Sequence, residues 1–196
     1  MVVFPQPLRR LIAPPPVQGL PARVGLDGRL LGHFPYAEAP AKDLVALAPG
    51  VQLHRDAAEA LLRLQDAAAA DGIDLRVLSA FRSIDLQKQI FFEVKSERNQ
   101  SALERAQVSA PPGFSEHSTG YAVDLGDGRA PETNLSASFE GTPAFAWLQA
   151  HANRFHFTLS FPAGNAQGVS YEPWHWRFEG SADALKTFEA AQRLGR

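Results

Sequence analysis

No cysteine occurs among the 196 residues, and this limits both how the chain can be held together and what chemistry it can carry. Disulfides, thiolate nucleophiles, cysteine-ligated zinc and iron–sulfur clusters are all excluded. The fold must rest on an apolar core, and any metal must be held by carboxylates and the six histidines. The length suits one domain, or one domain with an extension, large enough for a sizeable core. Hydrophobic residues at 45% and charged residues at 20% fit a globular chain and exclude wholesale disorder. With 21 acidic against 19 basic residues the net charge is −2, which excludes a nucleic-acid binder driven by phosphate contacts. No apolar run of about 18 residues is present, so no membrane-spanning helix is expected. Met1 to Ala13 carries Arg9 and Arg10 in its middle and lacks the features of an export signal. This fits either a cytosolic chain or an exported one whose signal has been removed.

Residues 1–50 are proline-rich and show no sustained period. Pro14 to Pro16 favour an extended polyproline conformation, so this region reads as an extension draped on the core or a linker. Regular structure is expected from near Asp56, which forms a capping-box pattern with Glu59. Ala57, Ala60, Leu61, Leu64 and Ala68 follow at helical spacing, and Gly72 is placed as a stop. Leu75 to Ser79 reads as a short buried strand. Ser83 is placed to cap a second helix with Leu86, Ile90 and Val94 on one face. Tyr121, Val123 and Leu125 alternate with Ala122 and Asp124 as in a strand. Thr142 before Pro143 reads as an N-cap with proline at the first helical position, and that helix runs to about Arg154. His156 to Phe161 and Trp174 to Phe178 read as further strands. Separated helices and short strands imply an α+β domain, a small antiparallel sheet flanked by helices.

Two segments carry the chemistry, Ser115 to Asp124 and Tyr171 to Phe178. Asp124 is expected to point away from the apolar face of its strand, and His175 with Arg177 away from the face of Trp174, Trp176 and Phe178. The three aromatics read as core. His117, Asp124 and His175 can then converge on one ion. Two imidazoles and one carboxylate suit Zn²⁺ with the fourth position left for water, as in a catalytic rather than a structural site. On a regular strand Glu172 and His175 would face opposite ways. Pro173 breaks the ladder, so an irregular backbone at 172–173 is expected to swing the Glu172 carboxylate toward the site. Taken singly, Asp124 would read as a solvated strand residue, His117 as a loop histidine and His175 as a strand residue between tryptophans. His33, His54, His151 and His156 lack such context and read as structural or surface residues.

The pattern Ser-x-His-x-x-Gly-x-Ala-x-Asp over Ser115, His117, Gly120, Ala122 and Asp124, followed by Glu172 and His175 within Glu-Pro-Trp-His-Trp-Arg, resembles the VanY-type D-alanyl-D-alanine carboxypeptidases. These belong with the lysostaphin-like and hedgehog-like zinc proteins. Ser79 to Ser83 is similar to the family's Ser-Gly-Tyr-Arg-Ser segment, with Ala80 and Phe81 in place of its glycine and tyrosine. The resemblance covers about residues 50–180. It implies one Zn²⁺ per chain on a sheet face, held by His117, Asp124 and His175, with Glu172 as general base and Arg82 on the oxyanion. It further implies substrate contacts from Arg82, Gln87 and Ser115. The expected domains are a proline-rich extension, 1–50, and a zinc carboxypeptidase domain, 51–196. The expected reaction is hydrolysis of the C-terminal peptide bond of a peptidoglycan stem peptide ending in D-Ala-D-Ala. An L,D-carboxypeptidase acting on tetrapeptides, an endopeptidase and a non-catalytic zinc-containing peptidoglycan-binding module are the alternatives. The chemical need for Glu172 and Arg82 in a hydrolase counts against the last. By the same analogy the expected location is periplasmic or otherwise extracytoplasmic.

Overall fold

The computed structural model describes residues 22–194. Pro14 to Pro16 and the arginine pair near the start lie outside the described residues. From residue 22 the chain runs over the core and contributes to it: Leu30, Phe34 and Tyr36 are all buried. An antiparallel hairpin follows, β1 (Leu44–Ala48) and β2 (Val51–His54), turned at Gly50. The sequence reading has no counterpart for it. Its strands are short, their residues are exposed or half-buried apart from the buried Leu53, and they carry no alternating pattern.

β2 feeds directly into α1 (Arg55–Ala70). This moves the N-cap from the expected Asp56 to His54, whose Nδ1 accepts from the Asp56 backbone N–H at 3.3 Å. Asp56 falls in the first turn, where its charge suits the helix dipole. Ala57, Ala60, Leu61, Leu64 and Ala68 are buried as their spacing implies, each leucine contributing about 1.5–3 kcal/mol. β3 (Leu75–Ser79) has the expected bounds. α2 (Ile84–Glu97) is capped by Ser83, whose Oγ accepts from the Leu86 N–H at 3.1 Å. Its buried face differs from the expected one. Leu86 is exposed, and the inward positions belong to Gln87 and Phe91, because a polar bridge from Gln87 is needed under the helix. A short helix, α3 (Ala102–Ala106), carries a capping box of Ser101 and Glu104.

β4 (Ala122–Asp127) is the buried centre of a four-stranded antiparallel sheet ordered β3-β4-β6-β5. Thr142 caps α4 (Pro143–His151), its Oγ1 accepting from the Phe145 N–H at 3.2 Å. The helix tightens into a 3-10 turn over Ala152–Phe155 that ends at His156 with φ of 62°. That left-handed residue trims the following strand to β5 (Phe157–Leu159). β6 (His175–Phe178) and α5 (Ala182–Leu194) complete the chain, with Ala184 and Phe188 of α5 buried. The main core lies between one sheet face and α1, α4 and α5. A smaller cluster of Leu30, Phe91, Ala102, Ala106 and Phe114 anchors α2 and α3. Both the α+β class and the small antiparallel sheet are as expected.

Candidate metal centre and cleft

Strand register brings the first two ligand candidates together. Asp124 of β4 lies directly opposite His175 of β6, and Ser79 of β3 is paired with Asp124 on the other side after a register shift at Val77/Ser79. One rung of the sheet therefore carries Ser79, Asp124 and His175. His117 comes from a 3-10 turn, Glu116–Thr119, that precedes β4. That turn closes at Gly120 with φ of 71°, where a Cβ would stand 2.9 Å from Leu44 and 3.0 Å from the His54 nitrogen. Both the backbone conformation and the close approach require glycine.

His117, Asp124 and His175 are all buried, and each offers a ligand atom within 4.8 Å of the others. His117 Nε2 is 3.3 Å from Asp124 Oδ2, and His175 Nδ1 is 3.1 Å from Asp124 Oδ1. The other nitrogen of each ring is anchored. His117 Nδ1 lies 2.8 Å from the Ala80 carbonyl, which can only accept, so Nδ1 carries the hydrogen and Nε2 presents its lone pair. His175 Nε2 donates to Glu116 Oε2 at 3.0 Å, which leaves Nδ1 for a cation. Two imidazole nitrogens and one carboxylate oxygen with fixed outer partners form a donor set that fits Zn²⁺.

Charge follows from these contacts. Burial raises the cost of ionising Asp124, but the two histidines outweigh it and hold the carboxyl well below its ordinary range. Burial opposes a charge on His175, yet its bonds to Asp124 and Glu116 push it up to about 10. A divalent cation at Nδ1 would displace that proton.

Glu116 is the residue that sequence reasoning missed. It is fully enclosed, and its Oε1 pairs with Arg177 Nη1 at 3.0 Å. Its Oε2 accepts from Ser160 Oγ at 2.6 Å and from His175 Nε2. Burial works against its charge, but Arg177 and His175 hold it down at about 2. The only sequence signals were its place beside His117 and the expected shared face of His175 and Arg177. We expect Glu116→Gln to keep the fold and to weaken zinc binding about 10–100-fold, the usual effect of losing an outer partner of a ligating histidine. Competition titration against a chromophoric chelator measures this, and unchanged affinity would leave Glu116 a purely structural anchor.

Glu172 reaches the group as its sequence context implies. The His175 N–H donates to the Glu172 carbonyl at 3.1 Å, closing a tight turn across Pro173 and Trp174. β6 accordingly begins at His175 rather than Trp174, and the Glu172 carboxylate lies 3.8 Å from His175 Nδ1. Burial raises Glu172 to about 7. Arg82 extends from the segment after β3. Its Nη1 donates to Gln87 Oε1 at 2.8 Å and its Nη2 to Ser79 Oγ at 2.9 Å. Burial lowers the guanidinium, while Asp124 and Glu172 support its charge. Gln87 is wholly buried and also donates to Ser109 Oγ and the Ala110 carbonyl. These contacts fix Arg82 in place. Ser115 is buried in the cleft wall.

The cleft has a volume of about 480 Å³, lined among others by Arg82, Ser115, Phe161, Glu172 and Trp174. His33 also lines it, with Nε2 on the Ala106 carbonyl at 2.8 Å. His54 serves as a helix cap, and His151 stacks on Trp147.

Residues 50–181 match the family model described as VanY, D-alanyl-D-alanine carboxypeptidase. The chain belongs to this family. The putative carboxypeptidase YodJ of Bacillus subtilis is 35% identical over 135 residues, 67% of this chain and 48% of YodJ. The chain thus spans about half the length of the curated relatives it matches. Among solved structures, the LD-carboxypeptidase LdcB gives a TM-score of 0.68 at 29% identity, covering 84% of this chain and 83% of LdcB. A variant of the vancomycin-resistance D,D-pentapeptidase VanY in complex with Zn(II) gives 0.61 at 27% identity, covering 82% of this chain and 93% of that one.

Proposed function

We propose that this VanY-family chain is a zinc-dependent D,D-carboxypeptidase that removes the terminal residue of a peptidoglycan stem peptide ending in D-Ala-D-Ala. The observation that carries the proposal is the Glu172 carboxylate 3.8 Å from His175 Nδ1, at the edge of a buried two-histidine, one-carboxylate group. His117 Nε2, Asp124 and His175 Nδ1 would hold one zinc ion. When bound, the ion supplies Lewis-acid polarisation of a carbonyl and makes water acidic enough to be a nucleophile near neutral pH. Glu172 accepts the proton of the attacking water and returns it to the leaving amine. Arg82, with its guanidinium held by Gln87 and Ser79, faces the carbonyl oxygen as it gains charge. Ser115 lies where it can contact the peptide, and Gln87 acts through Arg82.

The likeness to LdcB favours a second reading, an L,D-carboxypeptidase that takes a tetrapeptide with a single terminal D-Ala. By family analogy we place its action outside the cytoplasmic membrane, where assembled peptidoglycan lies. Among the described residues no helix is long and apolar enough to cross a membrane. We assign the activity to residues 51–196, with 1–50 as an extension. Amino-acid release from muropeptides ending in D-Ala-D-Ala or in a single D-Ala separates the readings. We expect release of one D-Ala from the first substrate, abolished by chelator and restored by zinc. His117→Ala and His175→Ala should lose the metal together with the activity. Full zinc occupancy in both variants would reject the ligand assignment.

A further inference from the structure

Two arginines are buried among the described residues, and they are treated very differently. Arg177 is paired on both sides, by Glu116 at 3.0 Å and Glu179 at 2.6 Å. Arg105, on α3, is only 7% exposed, and its Nε has no hydrogen-bond partner among the described residues. The charges acting on it are those of Arg98 and Arg82, both positive. A buried cation without a counter-ion is unfavourable for folding, so buried charges are normally paired. Arg105, Arg98 and Arg82 all line the cleft described above. Three arginines therefore line one cleft, and among the described residues only Arg82 has guanidinium hydrogen bonds to the protein.

We propose that Arg105, with the exposed Arg98 at the rim, is a carboxylate-binding subsite that receives a second acidic group of the substrate, on the acyl side of the scissile bond. The proposal rests on the peptidase reading of this cleft and names a feature of its substrate. The terminal carboxylate of a single leaving residue lies only about two bonds beyond the scissile nitrogen, so it stays close to the metal group. Arg82 is tied to the rung of the ligands through Ser79 Oγ at 2.9 Å, whereas Arg105 lies on α3, outside the sheet. Arg105 is thus separated from the rung that carries the ligands, on a part of the cleft wall that the sheet does not supply. An acidic side chain on the preceding part of the peptide can extend that far. A guanidinium suits this task because its planar fork matches a carboxylate.

The test uses the zinc-loaded full chain carrying Glu172→Gln, so that peptides bind without being cleaved. The probes are N-acetylated tripeptides ending in D-Ala-D-Ala, with Glu or Gln first and with a terminal carboxylate or amide. Calorimetric titration is expected to show the Glu peptide bound about 10–100-fold more tightly than the Gln peptide, the range for a hydrogen-bonded charge pair. Adding Arg105→Met should bring that ratio to near one while the preference for a free C-terminus persists. Arg105→Lys should restore part of it. Arg98→Gln, at an exposed position, keeps the test open if Arg105→Met does not fold, and should reduce the ratio by about 3–10-fold. A Glu/Gln ratio untouched by these changes overturns the subsite. Loss of the free C-terminus preference instead overturns the acyl-side assignment. Wild-type turnover of the same peptides is a separate readout. Arg105-dependent binding without any cleavage would reject the peptidase reading and leave the subsite standing. Cleavage with no dependence on Arg105 would do the reverse.

Discussion

Replacing Glu172 with Gln is expected to leave fold and metal in place and to remove most turnover. The exchange preserves shape and takes away the basic oxygen. Three carboxylates line the cleft, Glu116, Asp124 and Glu172. Glu116 is committed to Arg177, Ser160 and His175, and Asp124 to the two histidines. Glu172 alone of the three accepts no hydrogen bond of ordinary length among the described residues, its nearest partner being His175 Nδ1 at 3.8 Å. Burial holds its carboxyl at about 7, which favours both taking and returning a proton near neutral pH. We expect a loss on the order of 10²–10⁴-fold in kcat, the usual range for a general base. Steady-state kinetics on a zinc-loaded sample measures it. Near-normal turnover would mean that another group activates the water.

Arg82→Ala is expected to lower kcat by about 10²–10³-fold, as when an oxyanion donor is removed. The Arg82 guanidinium is held by Gln87 at 2.8 Å and Ser79 at 2.9 Å, so it is aimed before substrate arrives. A contact to the carbonyl oxygen strengthens as that oxygen becomes negative, and so acts on the transition state more than on bound peptide. Arg82→Lys should recover only part, because an ammonium cannot hold both Gln87 and Ser79 as the planar fork does. If Arg82 instead clamps the substrate's terminal carboxylate, KM rises and kcat holds. The kinetics of a D-Ala-D-Ala-terminated peptide, with zinc content checked, distinguish the two roles.

The parts of this architecture that were legible in the sequence are those fixed by local rules. Thr142 and Ser83 cap the helices their spacing assigned, because a cap is decided within three or four residues. Val123 and Leu125 of β4 point to the core and leave Asp124 on the opposite face, because a strand alternates. Pro173 forecast the turn that presents Glu172. What escaped depends on partners distant in the chain. The inward face of α2 is polar at Gln87 because Arg82, Ser109 and Ala110 meet there, and no count of apolar residues reports that. Glu116 gave no signal of burial because its partners, Ser160, His175 and Arg177, lie 44 to 61 residues away. Arg105 was invisible for the same reason, since its isolation is a property of the assembled cleft. Leu30, Phe34 and Tyr36 were hidden by the prolines around them, which mask any period although the residues themselves are core.

The rung that sets Ser79, Asp124 and His175 side by side has a consequence for how such a fold can diversify. A slip of one residue in β4 or β6 would turn every side chain to the other face and dismantle the ligand set at once. The three strands therefore tolerate neither insertion nor deletion near their centres. Much of the cleft wall is under no such constraint, because Arg98 to Ala110, Phe161, Ser170 and Tyr171 lie in connections or helices outside the sheet and hold none of the groups assigned to the reaction. Loops can lengthen, shorten or exchange charge while the sheet keeps the same spacing at the reacting atoms. The molecule is in this sense modular, with an invariant chemical gauge in the ladder and a replaceable recognition surface around it. If the chain is the peptidase proposed above, altering which peptide fits requires rewriting connections such as 98–110, and can leave the ligand group untouched.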